Sequence, residues 1–234
     1  MNQDLVETDQ YRLRTVRSFV RREGRITDAQ ERALADHWPA YGVDDFQRLT
    51  DLDALFGRRA PRVLEIGYGT GDNLAAMARA YPATDFLGAE VYRPGVGKAL
   101  ATLVAQRSAN VRLVMRDAVE LMATLPDASL DAVYVLFPDP WPKLRHHKRR
   151  LVSAVFADDI VRVLKRGGRW YLATDDENYA HHMAEICSNE PRLSNLTPAA
   201  MWSLRPHIRP LTRFESRGLR AGHVVRDLCF VNLG

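Results

Sequence analysis

The chain is poor in cysteine: Cys187 and Cys229 are its only two in 234 residues. Two thiols are too few for a disulfide scaffold and lack a second ligand pair for zinc, so both are expected reduced and packed. Nor is there an apolar run long enough to span a bilayer. The opening MNQDLVETDQ carries acids where a secretion signal would be basic, and it lacks the apolar stretch of such a signal. A cytoplasmic protein with no membrane attachment is the expectation. Repeats and low-complexity tracts are missing too, which leaves one sizeable core with an appendage.

What the chain has in plenty is clustered positive charge. Its formal net charge is only +4, yet residues 11–25, 141–150 and 205–226 each carry +5, leaving −11 for the remainder. Three cationic segments on an otherwise acidic chain form the electrostatic footprint of a polyanionic partner, a nucleic acid above all.

Residues 1–57 read as a basic, partly helical N-terminal extension. Gly24 breaks the first pattern, and Thr27 is placed to cap a helix beginning "DAQERAL". From residue 58 to 234 the pattern is regular. Short apolar runs at 62–66, 84–90, 111–115, 131–137 and 169–174 read as strands. Helical periodicity fills the gaps, as where Leu74, Met77, Ala78 and Tyr81 fall at i, i+3, i+4 and i+7. Further helices are expected at 95–107, 153–165 and 176–188, with Gly167-Gly168 stopping the second of these. Such alternation predicts an α/β fold, a Rossmann-like doubly wound and mostly parallel sheet. The tail HVVRDLCFVNL has no helix before it and is expected to join as an antiparallel edge strand.

LEIGYGTGDN sets Gly67, Gly69 and Gly71 between the first strand and a helix, where a tight turn needs positive φ and lets a ligand approach the backbone. Open α/β sheets bind ligands at the carboxyl ends of their strands. There the chain has Glu65, Glu90, Asp117 and Asp139, at four successive strand ends. Four carboxylates repel a pyrophosphate but suit S-adenosylmethionine, which carries a sulfonium and an ammonium. In that reading Glu90 accepts from the ribose hydroxyls, Asp117 from the adenine amino group, and Glu65 sets the loop and the field at the methionine end. Asp139 lies between two prolines in FPDPW, which restrict the backbone and aim its carboxylate. Phe137 and Trp141 can form a wall for a planar base. The adjacent His146 and His147 lack further ligands at metal-binding spacing, so no metal is expected.

LEIGYGTGDN, FLGAEVYRPGVG, FPDPWPKLRHHKRRL, LATD and LTRFESRGLRAGH together resemble the bacterial tRNA (guanine-N7-)-methyltransferases, and RSFVRREGRITDAQ extends the likeness towards the N-terminus. The resemblance implies a class I methyltransferase fold and methyl transfer from S-adenosylmethionine to a guanine N7 in tRNA, in the variable loop. It implies Glu65, Gly67, Gly69, Gly71, Glu90, Asp117, Ala118 and Asp139 around the cofactor, with Asp139 also the catalytic residue. Lys143, Asp175, Thr212, Arg213, Phe214 and Glu215 would contact the substrate, and Arg145, His146, His147, Lys148, Arg149 and Arg150 the RNA, in a monomer or homodimer. Arg226 departs from the family, which commonly has tryptophan there. Three other readings remain open at this point: methyl transfer to an exocyclic base amine, RNA binding without catalysis, and an NAD-dependent dehydrogenase.

Overall fold

A computed structural model describes residues 24–206 and 209–234, without the side chains of Arg213 and Phe214. Among them are seven strands in one sheet of order β3-β2-β1-β4-β5-β7-β6. β1 (Arg62–Ile66), β2 (Asp85–Ala89), β3 (Val111–Val114), β4 (Leu130–Leu136) and β5 (Leu164–Thr174) run parallel. The C-terminal strand β7 (Arg226–Asn232) runs antiparallel to β5, as expected. Outside it lies β6 (Leu193–Asn195), three residues long and invisible to periodicity.

Every residue of β1 and β2 is buried, because helices cover both faces of the sheet. One face packs α1 (Asp28–Tyr41), α3 (Asp72–Ala80) and α4 (Arg93–Ala105) through Leu34, Leu74, Met77, Val96 and Leu100 against Val63, Phe86 and Val111. The other packs α2 (Leu52–Phe56), α5 (Ala118–Met122), α6 (Ala154–Val163) and α7 (Glu177–Asn189) through Leu55, Leu121, Ile160 and Met183. Thr27 caps α1 with a full capping box: its hydroxyl accepts from the Gln30 N–H while Gln30 accepts from the Thr27 N–H. The basic run at 11–25 lies outside the described residues except for Gly24 and Arg25.

Two expectations change. α6 ends at Val163, and Gly167-Gly168 belongs to β5, where Gly167 takes φ +80° at a break in register between Leu130 and Ala132. Asn232 explains the early stop, donating Nδ2–H to the carbonyls of Val161 and Leu164 that further helix would have occupied. Tyr81 is exposed, since α3 ends at Ala80 before its ring can turn inward.

Candidate active site and RNA-facing surface

The strand order reverses between β1 and β4, and at such a reversal open α/β sheets bind ligands beyond the carboxyl ends of the strands. Gly67, Gly69 and Gly71 turn the chain there with φ of +72°, +56° and +76°. A Cβ on Gly67 or Gly69 would meet nothing within 4 Å, so the loop presents bare backbone to open space.

Glu90, at the end of β2, binds this loop. Its Oε2 accepts from the Gly69 N–H at 2.7 Å, and its Oε1 accepts from the N–H groups of Val91 and Tyr92 at 2.7 and 2.8 Å. Glu65 is 3% exposed and accepts from Asn73 Nδ2 at 2.9 Å. Burial pushes its carboxyl up to about 7, helped by the charge of Glu90 and opposed by Asn73 and Arg209. Asp117, half-buried after β3, caps α5 by accepting from the Val119 N–H at 2.8 Å, and Ala118 opens that helix. These are acids with one loosely compensated buried member, beside a turn that admits a ligand to its backbone. The set fits a ligand bearing ribose hydroxyls and positive charge.

Asp139 follows β4 on a turn whose strain is local. Phe137 and Trp141 flank it at φ +52° and +48°, a region that costs a non-glycine residue about 1–3 kcal/mol and recurs at functional sites. Three side chains hold the turn in this shape. Arg150 donates Nε–H to the Pro140 carbonyl and Nη2–H to Asn178 on α7, and its guanidinium lies over the Tyr179 ring. Arg149 lies over the Trp141 ring at 4.9 Å, and His146 meets that ring edge-on.

Arg150 is therefore a correction to the sequence reading. At 6% exposure it braces the turn from inside and cannot face RNA. Lys143, Arg145, Lys148 and Arg149 are exposed on the turn and the 3-10 helix Leu144–Arg149 after it. His146 and His147 on that helix are half-buried. Partial burial and then its four cationic neighbours hold His146 below its ordinary value. Among the described residues no three metal-ligating side chains cluster, and no helix is long and apolar enough to cross a membrane.

Asp175 follows β5, next along the same edge, with its Oδ2 2.8 Å from His223 Nδ1. Thr212 caps α8 (Arg213–Arg220) by accepting from the Glu215 N–H. Glu215 itself is buried, and both its oxygens bind Arg209, which also binds Asp227 at the start of β7. Its carboxylate faces inward, so contact with substrate would need Arg209 to release it. The expectations for the side chains of Arg213 and Phe214 lie outside the described residues. Arg226, which stands where the resembled family commonly has tryptophan, lies over the Trp202 ring and pairs with Glu177. Arg209 was not singled out from sequence, because charge pattern cannot separate a buried cation from exposed neighbours such as Arg205, Arg217 and Arg220.

A family model described as "Putative methyltransferase" matches residues 59–228. A tRNA (guanine-N(7)-)-methyltransferase of Aeromonas hydrophila subsp. hydrophila is 48% identical over 98% of this chain and 98% of its own. One of Edwardsiella ictaluri is 49% identical over 93% of this chain and 92% of its own. Among solved structures, an rRNA methylase from Streptococcus thermophilus aligns with TM-score 0.50 at 13% identity, over 81% of this chain and 92% of that one, a likeness of fold alone. With an acid-ringed glycine turn, a strained DPW turn and relatives matched nearly end to end, this chain belongs to the bacterial tRNA (guanine-N(7)-)-methyltransferase family.

Proposed function

We propose that the protein methylates N7 of a guanine in the variable loop of tRNA, with S-adenosylmethionine as donor. One observation carries this reading. β1 to β5 finish along a single edge on Glu65, Glu90, Asp117, Asp139 and Asp175, and exposed cations follow directly on the Asp139 turn.

S-adenosylmethionine, when bound, supplies a methyl group on an electrophilic sulfonium. Glu90 accepts from its ribose hydroxyls, Asp117 from its adenine amino group, and the ionised Glu65 balances its positive charge. Guanine N7 carries an in-plane lone pair and no proton, so no general base is required at the nucleophile. The chain's task is positioning, and in-line placement at near-attack distance supplies on the order of 7–11 kcal/mol. Methylation leaves the purine cationic and its N1–H more acidic. A carboxylate accepting from that edge is bound more tightly as charge develops, and Asp139 or Asp175 fills this role. Lys143, Arg145, Lys148 and Arg149 neutralise phosphates beside the acceptor. Methyl transfer to an exocyclic amine would instead demand removal of a proton.

Incubation with labelled S-adenosylmethionine and unmodified tRNA, then digestion and mass spectrometry of the nucleosides, tests the reading. N7-methylguanosine is expected; methyl on an exocyclic amine, or unlabelled RNA, overturns it.

A further inference from the structure

The described side chains of α8 hold it to the body of the protein through charge. Surface helices ordinarily hold on through an apolar face. Among the described side chains of α8 the only buried one is Glu215, and Leu219 is exposed. Among those side chains, the anchoring contacts are polar. Glu215 takes both ends of the Arg209 fork, at 2.5 and 3.0 Å, and the second arm of that fork also reaches Asp227 at 2.9 and 3.1 Å. Beyond the far end of the helix, His223 meets Asp175.

Arg209 itself is 1% exposed, so it contacts no phosphate, although it stands in a segment of six basic residues. Its guanidinium lies 5.8 Å from the centroid of the Phe137 ring, the strained residue that opens the Asp139 turn. Its backbone carbonyl accepts from Arg205, and its buried Nε has no hydrogen-bond partner among the described residues.

We propose that Arg209 is a positioning residue of the methyl-acceptor pocket, tying the first turn of α8 and the start of β7 to Phe137 at the foot of the Asp139 turn. This rests on the tRNA methyltransferase reading above. Two elements far apart in sequence, the turn at 137–142 and the Thr212–Glu215 turn, are thereby fixed relative to each other by one planar cation. Lysine cannot replace it, because a point charge does not reproduce a fork that grips two carboxylates while covering a ring.

The test is Arg209→Lys in the full-length protein, assayed well below its unfolding midpoint. Turnover on tRNA should fall about 100-fold, the scale of a misplaced reacting group. Affinity for S-adenosylmethionine and the salt slope of tRNA binding should be unchanged, and amide exchange should quicken at 137–142 and 212–220 together. Turnover restored simply by cooling would reduce Arg209 to a stabilising residue, and a loss confined to KM with a shallower salt slope would make it a phosphate contact. Either result overturns the proposal, as does parental turnover. If the parent protein itself fails to methylate tRNA, the functional reading falls, whereas coupled exchange at the two segments would still bear on Arg209 alone.

Discussion

The Glu90 carboxylate accepts a 2.7 Å hydrogen bond from the Gly69 backbone, so the acid that ends β2 clasps the glycine turn that follows β1. The side chain proposed to receive a ribose thus also shapes the loop beside it. Replacing Glu90 with Ala removes the acceptor for Gly69, Val91 and Tyr92 at once. We expect S-adenosylmethionine binding to weaken by about 2–4 kcal/mol, and the unfolding temperature to drop, since hydrogen bonds to a charged group are worth about 1.5–3 kcal/mol each. Calorimetry and thermal unfolding check the two effects separately.

Glu65 predicts a pH dependence with a definite sign. Its folded value, about 7, lies above the ordinary 4.5, so the folded protein holds this proton more tightly than the unfolded chain. The group's contribution to stability is fully present below pH 4.5 and is lost as pH rises through about 7. The ionised carboxylate then burdens the fold by about 3 kcal/mol at most. Cofactor affinity runs the opposite way, because the positively charged ligand favours the ionised form. It should fall about tenfold per unit below pH 7. Glu65→Gln should be more stable than the parent at pH 8 and bind S-adenosylmethionine weakly, with a flat pH profile. An unchanged pH profile in the variant would assign the titration elsewhere.

Asp139→Asn retains the size of the side chain, and the prolines that restrict the turn are untouched. Turnover on tRNA should drop by about 10²–10³, the scale for loss of one aimed electrostatic partner, while cofactor affinity stays at the parental value. Equal losses in both would mean that Asp139 serves cofactor binding only.

Arg149 and Arg150 are neighbours with opposite fates. Arg149→Ala removes an exposed cation, so the logarithmic salt slope of tRNA binding should become shallower by about 0.7–0.9 for each phosphate that is no longer neutralised. Arg150→Ala should leave that slope alone. It takes the donor away from the Pro140 carbonyl and Asn178, so turnover and thermal stability should suffer instead. Salt titrations of the two variants side by side distinguish the roles.

Much of this site is legible in the sequence because strand ends are. Once β1 to β4 are placed by apolar runs, the acids at their ends follow by position, and the glycines announce the turn. The likeness of FPDPW and TRFE to a known family supplied the acceptor side. Inward or outward direction within the basic runs was not legible. Arg149 and Arg150 are identical in type and adjacent, yet one is exposed and the other is 6% exposed between α7 and the turn. Arg209 and Glu215 are six residues apart, but their pairing depends on a helix cap at Thr212 and on Asp227 across the sheet. Likewise the end of α6 depends on Asn232, 69 residues beyond Val163, which no local pattern contains.

Chemical mapping of the product tests the central claim most directly. Unmodified tRNA is treated with the parent protein or with Asp139→Asn in the presence of S-adenosylmethionine, then reduced with borohydride and cleaved with aniline, which cuts the strand at N7-methylguanosine. One cut is predicted, at a guanine in the variable loop, with the parent protein and almost none with the variant. Intact RNA after treatment with the parent protein, or equal cutting by both proteins, would contradict it.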